Sequence, residues 1–242
     1  MILKFLSPFK ALNKFELGLW SFSLTAVTVS FLLGKDHHML TLIASLIGVT
    51  ALIFVAKGDV LGQILTVIFS LVYAAVSLEM RYYGEMITYL GMSAPIAAIT
   101  IVSWLKHPFE KGKREVKVAK LSKIQVAALI TLAVLVTSAF YFILRYFGNA
   151  SLAVSTVSVT TSFLASGLML LRSPYYALAY AANDIVLIIL WVIASIDNTA
   201  YLPMVINFTM FFINDLYGFI SWQRMNKHQS EKYALKNSRD NS

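Results

Sequence analysis

Apolar residues run along this chain in long blocks separated by short polar breaks. Eight blocks fall at about 17–34, 38–56, 59–80, 84–104, 124–147, 151–171, 174–196 and 200–222. Each has the length, roughly 17 to 25 residues, that a helix needs to cross a hydrocarbon core. The breaks are very short except for one, Lys106 to Lys123. The pattern predicts an all-α membrane protein with eight transmembrane helices. Ahead of the first block, MILKFLSPFKALNKFE sets Lys4, Lys10 and Lys14 beside Phe5, Leu6, Phe9 and Leu12, the mixture expected of an interfacial segment. It shows no small-residue cleavage site after a short apolar core, so no removed signal peptide is expected.

The pattern also repeats. Displaced by 118 residues, Ser77 falls on Ser195, Glu79 on Asp197, Tyr83 on Tyr201, Met92 on Met210, and Ser103-Trp104 on Ser221-Trp222. Tyr73 falls on Trp191, an aromatic on an aromatic. The matching segments are spans two to four and spans six to eight, with span five between them. Four crossings separate equivalent positions, so the copies face the same way. The expected architecture is two parallel three-helix-bundle repeats joined by a linker helix (3+1+3), plus one extra N-terminal helix, similar to the sugar-transporting SWEET fold. The expected units are 1–37, an interfacial segment and accessory helix; 38–105, the first bundle; 106–150, a basic cytoplasmic loop and the linker helix; 151–223, the second bundle; and 224–242, a polar, disordered cytoplasmic tail.

Composition agrees with a membrane protein: 58% of residues are hydrophobic and 13% charged, where a soluble domain carries about 25% charge. Charge also orients the spans. With a cytoplasmic N-terminus, seventeen Lys and Arg lie on inner segments and only Lys35, Arg81 and Arg145 on outer ones, a strong positive-inside bias. Both termini are then cytoplasmic. The net charge of +8 needs no nucleic acid to explain it, because the basic loop beside the spans suits lipid headgroups. There is no cysteine, and His37, His38, His107 and His228 all lie at or beyond the ends of the apolar blocks. Neither HExxH nor GxSxG occurs in the spans. Thiol chemistry, an intramembrane Cys/His metal site and an enzyme are not expected, and no metal or cofactor is called for.

Polar groups kept at membrane depth mark candidate binding residues. Span seven carries Asn183 and Asp184 near its centre, with Trp191 further along. Span eight carries Asn207, Asn214, Asp215 and Tyr217, and Asn207, Phe211, Asn214 and Gly218 form one stripe. In span three Gln63 and Thr66 lie one turn apart, with Tyr73 beyond. Amides, hydroxyls and aromatic faces suit a flat, hydrogen-bonding ligand, neutral or weakly charged. The alternative for each amide is that it joins helices. Asp184 and Asp215 are candidate proton or cation sites, whereas Glu79, Glu85 and Asp197 read as solvated span ends.

The last two spans resemble a known family. NDLYGFISWQRM has the form Asn-x-x-Tyr followed five residues later by Trp, just before a basic tail. It is similar to the final helix of the PnuC family of nicotinamide riboside transporters. The bundle organisation and the Asn/Asp pair of the penultimate span agree, over about residues 38 to 225. Members often carry Trp-x-x-Trp early in the penultimate helix. Here that region reads PYYALAYAAND, with Tyr175, Tyr176 or Tyr180 in its place. The resemblance implies uptake of nicotinamide riboside by facilitated diffusion, without a coupling ion, and trapping by a cytoplasmic riboside kinase. It also implies a homotrimer in a bacterial inner membrane. Read from the residues alone, thiamin, riboflavin or a sugar fits nearly as well, and a scaffold or receptor stays open.

Overall fold

The computed structural model describes residues 8–34, 39–79, 82–110, 112–149 and 151–240. Lys4, Phe5, Leu6, Lys35, His37, His38, Arg81 and Lys111 lie outside the described residues, as do the side chains of Lys236 and Arg239. Among the described residues eight helices are long and apolar enough to cross a membrane: α1 (Lys14–Leu33), α2 (Met39–Ala56), α3 (Val60–Glu79), α4 (Tyr83–Lys106), α5 (Lys123–Tyr146), α6 (Leu152–Leu170), α7 (Tyr176–Asp197) and α8 (Leu202–Asp240). The chain is a multi-pass, all-helical membrane protein. Among the described residues the extended backbone amounts to two isolated bridges, Asp59 with Glu115 and Pro108 with Val116.

Local chemistry sets the helix starts. Asn13 accepts from Glu16 N at 2.9 Å while Glu16 accepts from Asn13 N at 2.7 Å, a reciprocal cap that satisfies two otherwise orphan donors. Ser122 and Gln125 do the same for α5. Within α4, Tyr89–Ser93 forms a wider π-type turn, closed by Ala94 N donating to Tyr89 O. Pro95, which has no N–H, follows at once and disfavours an ordinary helical ladder there.

Two helix trios, α2–α3–α4 and α6–α7–α8, each pack within themselves, and they meet through α2 with α8 and α4 with α6. Helix α1 lies against α2 and α8, and α5 packs chiefly against α6. Where α2 and α3 turn back on one another, the helices come very close: a Cβ at Gly62 would stand 2.4 Å from the Val55 backbone nitrogen.

Residues 224–240 depart from the disorder expected of the tail. Helix α8 runs on to Asp240, with no Gly or Pro after Gly218 to stop it. Gln229 is buried, donates to Glu115 Oε1 and Val116 O, and accepts from Val118 N. Lys232 pairs with Glu110. The basic loop, expected to lie on headgroups, is thus strapped to the α8 extension. It also reaches the turns after α2 and α6, through Val116 N to Gly58 O and Ala119 N to Arg172 O.

The Gly62 contact gives a stability prediction. Gly62→Ala drives a methyl group into backbone and should cost about 1–3 kcal/mol, read as a lowered melting temperature in detergent. Gly18→Ala meets nothing within 4 Å and should be neutral or stabilising by up to about 1 kcal/mol. Equal melting temperatures for the two variants would contradict the close approach.

Candidate functional site

Midway along the helices, the two trios enclose a cavity of about 70 Å³. Thr66, Phe69 and Ser70 of α3, Tyr89 and Ser93 of α4, and Gly48 of α2 form one side. Ser162 and Met169 of α6, Tyr180, Asn183, Asp184 and Leu187 of α7, and Phe208, Phe211 and Asp215 of α8 form the other. Small-molecule pockets usually begin near 300 Å³, so in this closed form the cavity is too small for a nucleoside.

Asn183 is fixed from one side. Its Oδ1 accepts from Thr161 Oγ1 at 2.8 Å and from Ser162 Oγ at 3.0 Å. That fixes the amide and leaves its Nδ2 donor to the cavity. Asp184 and Asp215 are both buried and within interaction range of each other, and Asp184 Oδ2 has no hydrogen-bond partner among the described residues. Tyr180 OH shares a 2.8 Å hydrogen bond with Ser166 Oγ. Of the three tyrosines in the place of the tryptophan motif, Tyr180 lines the cavity, Tyr176 packs on Trp222 at 4.7 Å and Tyr175 is exposed. The π-type turn explains Tyr89 and Ser93, both of which reach the cavity.

Aromatic layers close both ends. Toward the basic loop lie Trp104, Trp222 and Tyr176, with Trp104 and Trp222 at 5.6 Å. Toward the opposite end Tyr73 contacts Tyr89 at 4.4 Å and Phe208 at 5.9 Å, and beyond them Trp191 meets Tyr82 at 4.9 Å. Tyr82, just ahead of α4, is pushed up to about 12, first by burial and then by neighbouring Tyr201 and Asp197, so it stays a neutral phenol.

Of the residues singled out from the sequence as holding substrate, Thr66, Tyr180, Asn183 and Asp184 meet at the cavity, joined by Phe211 and Asp215 of α8. Tyr73 and Trp191 lie in the aromatic layers beyond it. Gln63 is buried and donates to Met169 Sδ at 2.8 Å. Asn207 is fully buried with neither amide atom partnered among the described residues. Asn214 Nδ2 donates to Ser23 Oγ of α1 at 2.9 Å, and Tyr217 OH donates to Glu16 Oε1 of α1 at 2.8 Å. Both are helix-to-helix bonds. Asp215, a candidate proton or cation site, sits in the cavity wall, whereas Glu85, read as a solvated span end, is buried. The sequence reading passed over Ser162, which continues a stripe with Ser158 and Ser166 one turn to either side. That regular spacing was its available signal.

Residues 38–224 match the family described as nicotinamide mononucleotide transporter. The chain belongs to this family. It is therefore a membrane transporter and not an enzyme. It is 28% identical over 207 residues to the nicotinamide riboside transporter PnuC of Neisseria mucosa, covering 84% of this chain and 78% of that one. The namesake from Haemophilus influenzae is 24% identical over 189 residues, 78% of this chain and 80% of its own. A crystal structure of the vitamin B3 transporter PnuC superposes with a TM-score of 0.78 at 27% identity, covering 90% of this chain and 94% of that one. The family match begins at residue 38, after α1.

The bond between α1 and α8 is testable by a double-mutant cycle on Ser23→Ala and Asn214→Ala. Interhelical hydrogen bonds in membranes average about 0.6 kcal/mol, so the two losses of stability should fall short of additivity by roughly that amount. Strict additivity would mean that Asn214 spends its donor elsewhere.

Proposed function

We propose that this chain takes up nicotinamide riboside by facilitated diffusion, binding it midway between two three-helix bundles. The observation that carries the reading is the polar wall of the cavity, in a chain whose relatives are named for this substrate. Asn183 offers an oriented amide donor, Tyr180 and Tyr89 offer ring faces, and Asp184 and Asp215 offer two carboxylates. Two buried acids side by side repel unless they share a proton or a positive charge lies between them. The pyridinium ring of the riboside brings that charge together with a carboxamide, and its ribose brings hydroxyls.

The same wall argues for the riboside over its phosphorylated form. Among the described residues no Lys, Arg or His lines the cavity, so a phosphate dianion would face two carboxylates with no cation there to pair it. Phosphorylation by a cytoplasmic riboside kinase would then trap the riboside on the inner side. The lack of a basic relay beside the acids also favours simple uniport over coupling to protons or sodium.

The 3+1+3 arrangement, with units at 38–105, 106–150 and 151–223 and α1 as an accessory, draws support from two matched sets of bonds. Ser221 Oγ donates to Ala56 O and Trp222 Nε1 to Val55 O, at the end of α2. Ser103 Oγ donates to Leu170 O and Trp104 Nε1 to Met169 O, at the end of α6. The last helix of each trio clamps the first helix of the other, as a two-fold relation along the membrane normal requires. These clamps would form the gate on the basic-loop side. Residues 224–242 and the N-terminus lie in the cytoplasm of a bacterial cell in this reading, by the positive-inside bias. The homotrimer implied by family resemblance has apolar surface available on α5, where Ile130, Leu132 and Leu135 point outward.

Three measurements test the proposal. Liposomes holding the protein should fill with labelled nicotinamide riboside until both sides are equal, and should take up the mononucleotide at no more than background. Accumulation above the outside concentration under an imposed ion gradient would exclude uniport. Asn183→Ala should weaken riboside binding about tenfold to a hundredfold in titration calorimetry, while the variant elutes like wild type. Unchanged affinity with a lowered melting temperature would make Asn183 a helix-joining residue only. A reporter that works only in the cytoplasm, fused after Ser242, should be active.

A further inference from the structure

Outward of the cavity, the same helices bury a second set of polar atoms without partners. Tyr73 OH and Ser77 Oγ on α3, Glu85 Oε2 on α4 and Trp191 Nε1 on α7 make no hydrogen bond among the described residues. All four residues are at most 3% exposed. They gather in one place. Tyr73 OH faces Ser77 and Trp191 just beyond good hydrogen-bond geometry, so these three interact weakly with one another. It also lies within electrostatic reach of Glu85, whose Oε2 has no partner among the described residues. Tyr89, one turn from Glu85, contacts Tyr73 on this side and lines the cavity on the other. Tyr82 covers the cluster outwardly through its contact with Trp191.

Such atoms are costly to bury. An unpaired hydroxyl or indole N–H costs about 1–3 kcal/mol and an uncompensated carboxylate more. A position meant only for packing would carry Leu or Phe, as the surrounding positions do. Water would satisfy the hydroxyls and the indole but bring no charge to Glu85. Calcium or magnesium would need about six oxygens, and here one carboxylate and two hydroxyls converge. One acid, one N–H donor, two hydroxyls and aromatic faces form the complement of a flat organic cation that carries its own polar groups.

We propose that Tyr73, Ser77, Glu85 and Trp191 form an outer subsite that receives the cationic nicotinamide ring before it enters the cavity, with Glu85 as its counter-ion. This rests on the transport reading above. Tyr89 is then the partition between the two subsites, and substrate passes when its ring swings aside. The subsite selects for positive charge at entry, ahead of the contacts to Asn183.

The test compares initial uptake into liposomes of nicotinamide riboside and of its neutral dihydro form. Glu85→Gln keeps size and removes charge. It should raise KM for the cation roughly tenfold and leave KM for the neutral form unchanged. Trp191→Phe, which keeps a ring and loses the N–H, should raise KM for both. A folded Glu85→Gln protein that keeps its preference for the cation, or that loses both substrates equally, overturns the subsite. Should Glu85→Gln fail to fold, unchanged KM values in Ser77→Ala and Trp191→Phe overturn it instead. A wild type that carries riboside while those variants behave normally removes the subsite alone. A wild type that carries no riboside removes the transport reading and the subsite with it.

Discussion

A polar side chain inside a membrane has no water to fall back on, and that constraint separates two kinds of buried polar group in this chain. Some spend their donors on a neighbouring helix: Asn214 on Ser23, Gln63 on Met169, Trp20 on Thr50. Others keep an atom without a partner and face a common space, as Asp184 does in the cavity and Glu85, Tyr73 and Trp191 do beyond it. Asn183 shows both halves of the rule in one residue. Its carbonyl oxygen is held by two hydroxyls of α6, and its amide donor is left for whatever enters.

Closure at the basic-loop end follows from an ordinary defect of helices. The last carbonyls of any helix lack intrahelical donors. Here Val55 O and Ala56 O of α2, and Met169 O and Leu170 O of α6, receive the indole and hydroxyl donors of a Trp and a Ser from the opposite trio. Water can replace each donor when the trios part, so opening exchanges bonds without stranding them. A gate built in this way is cheap to cycle. The opposite end relies on ring-to-ring contacts instead, among Tyr73, Tyr89, Trp191 and Tyr82. Glu85 lies buried behind those rings.

The eight spans were legible because lipid demands long apolar runs, and the helix ends fell within a few residues of those runs, save that the last helix continues to Asp240. The site was legible only in part. Asn183 and Asp184 announce themselves by their cost at membrane depth, and both line the cavity. Tyr89 and Ser93 did not, since nothing in a linear pattern says that Pro95 widens the turn before it and redirects them. Glu85 looked like a span end because it lies three residues into its helix. Yet α4 enters beneath the α5–α6 turn, where Gly84 lies against Asn149 and Leu144, and that tucks Glu85 inward. The tail read as disorder from its polarity, and polarity does not report that Gln229 finds three partners in a loop over a hundred residues earlier.

The Asn-x-x-Tyr pattern of α8 carries the last consequence. The family match begins after α1, yet Asn214 and Tyr217 both bond to α1, through Ser23 and Glu16. Glu16 also holds Lys57 at 2.9 Å, at the turn between α2 and α3. One carboxylate therefore ties the last helix of the second trio to a turn of the first, by way of a helix that belongs to neither. Any motion that separates the trios on this side must stretch or rotate that three-way link. Helix α1 is thus placed to move with α8 or with α2, but not freely with both. The fold makes it a brace across the seam along which the cavity opens.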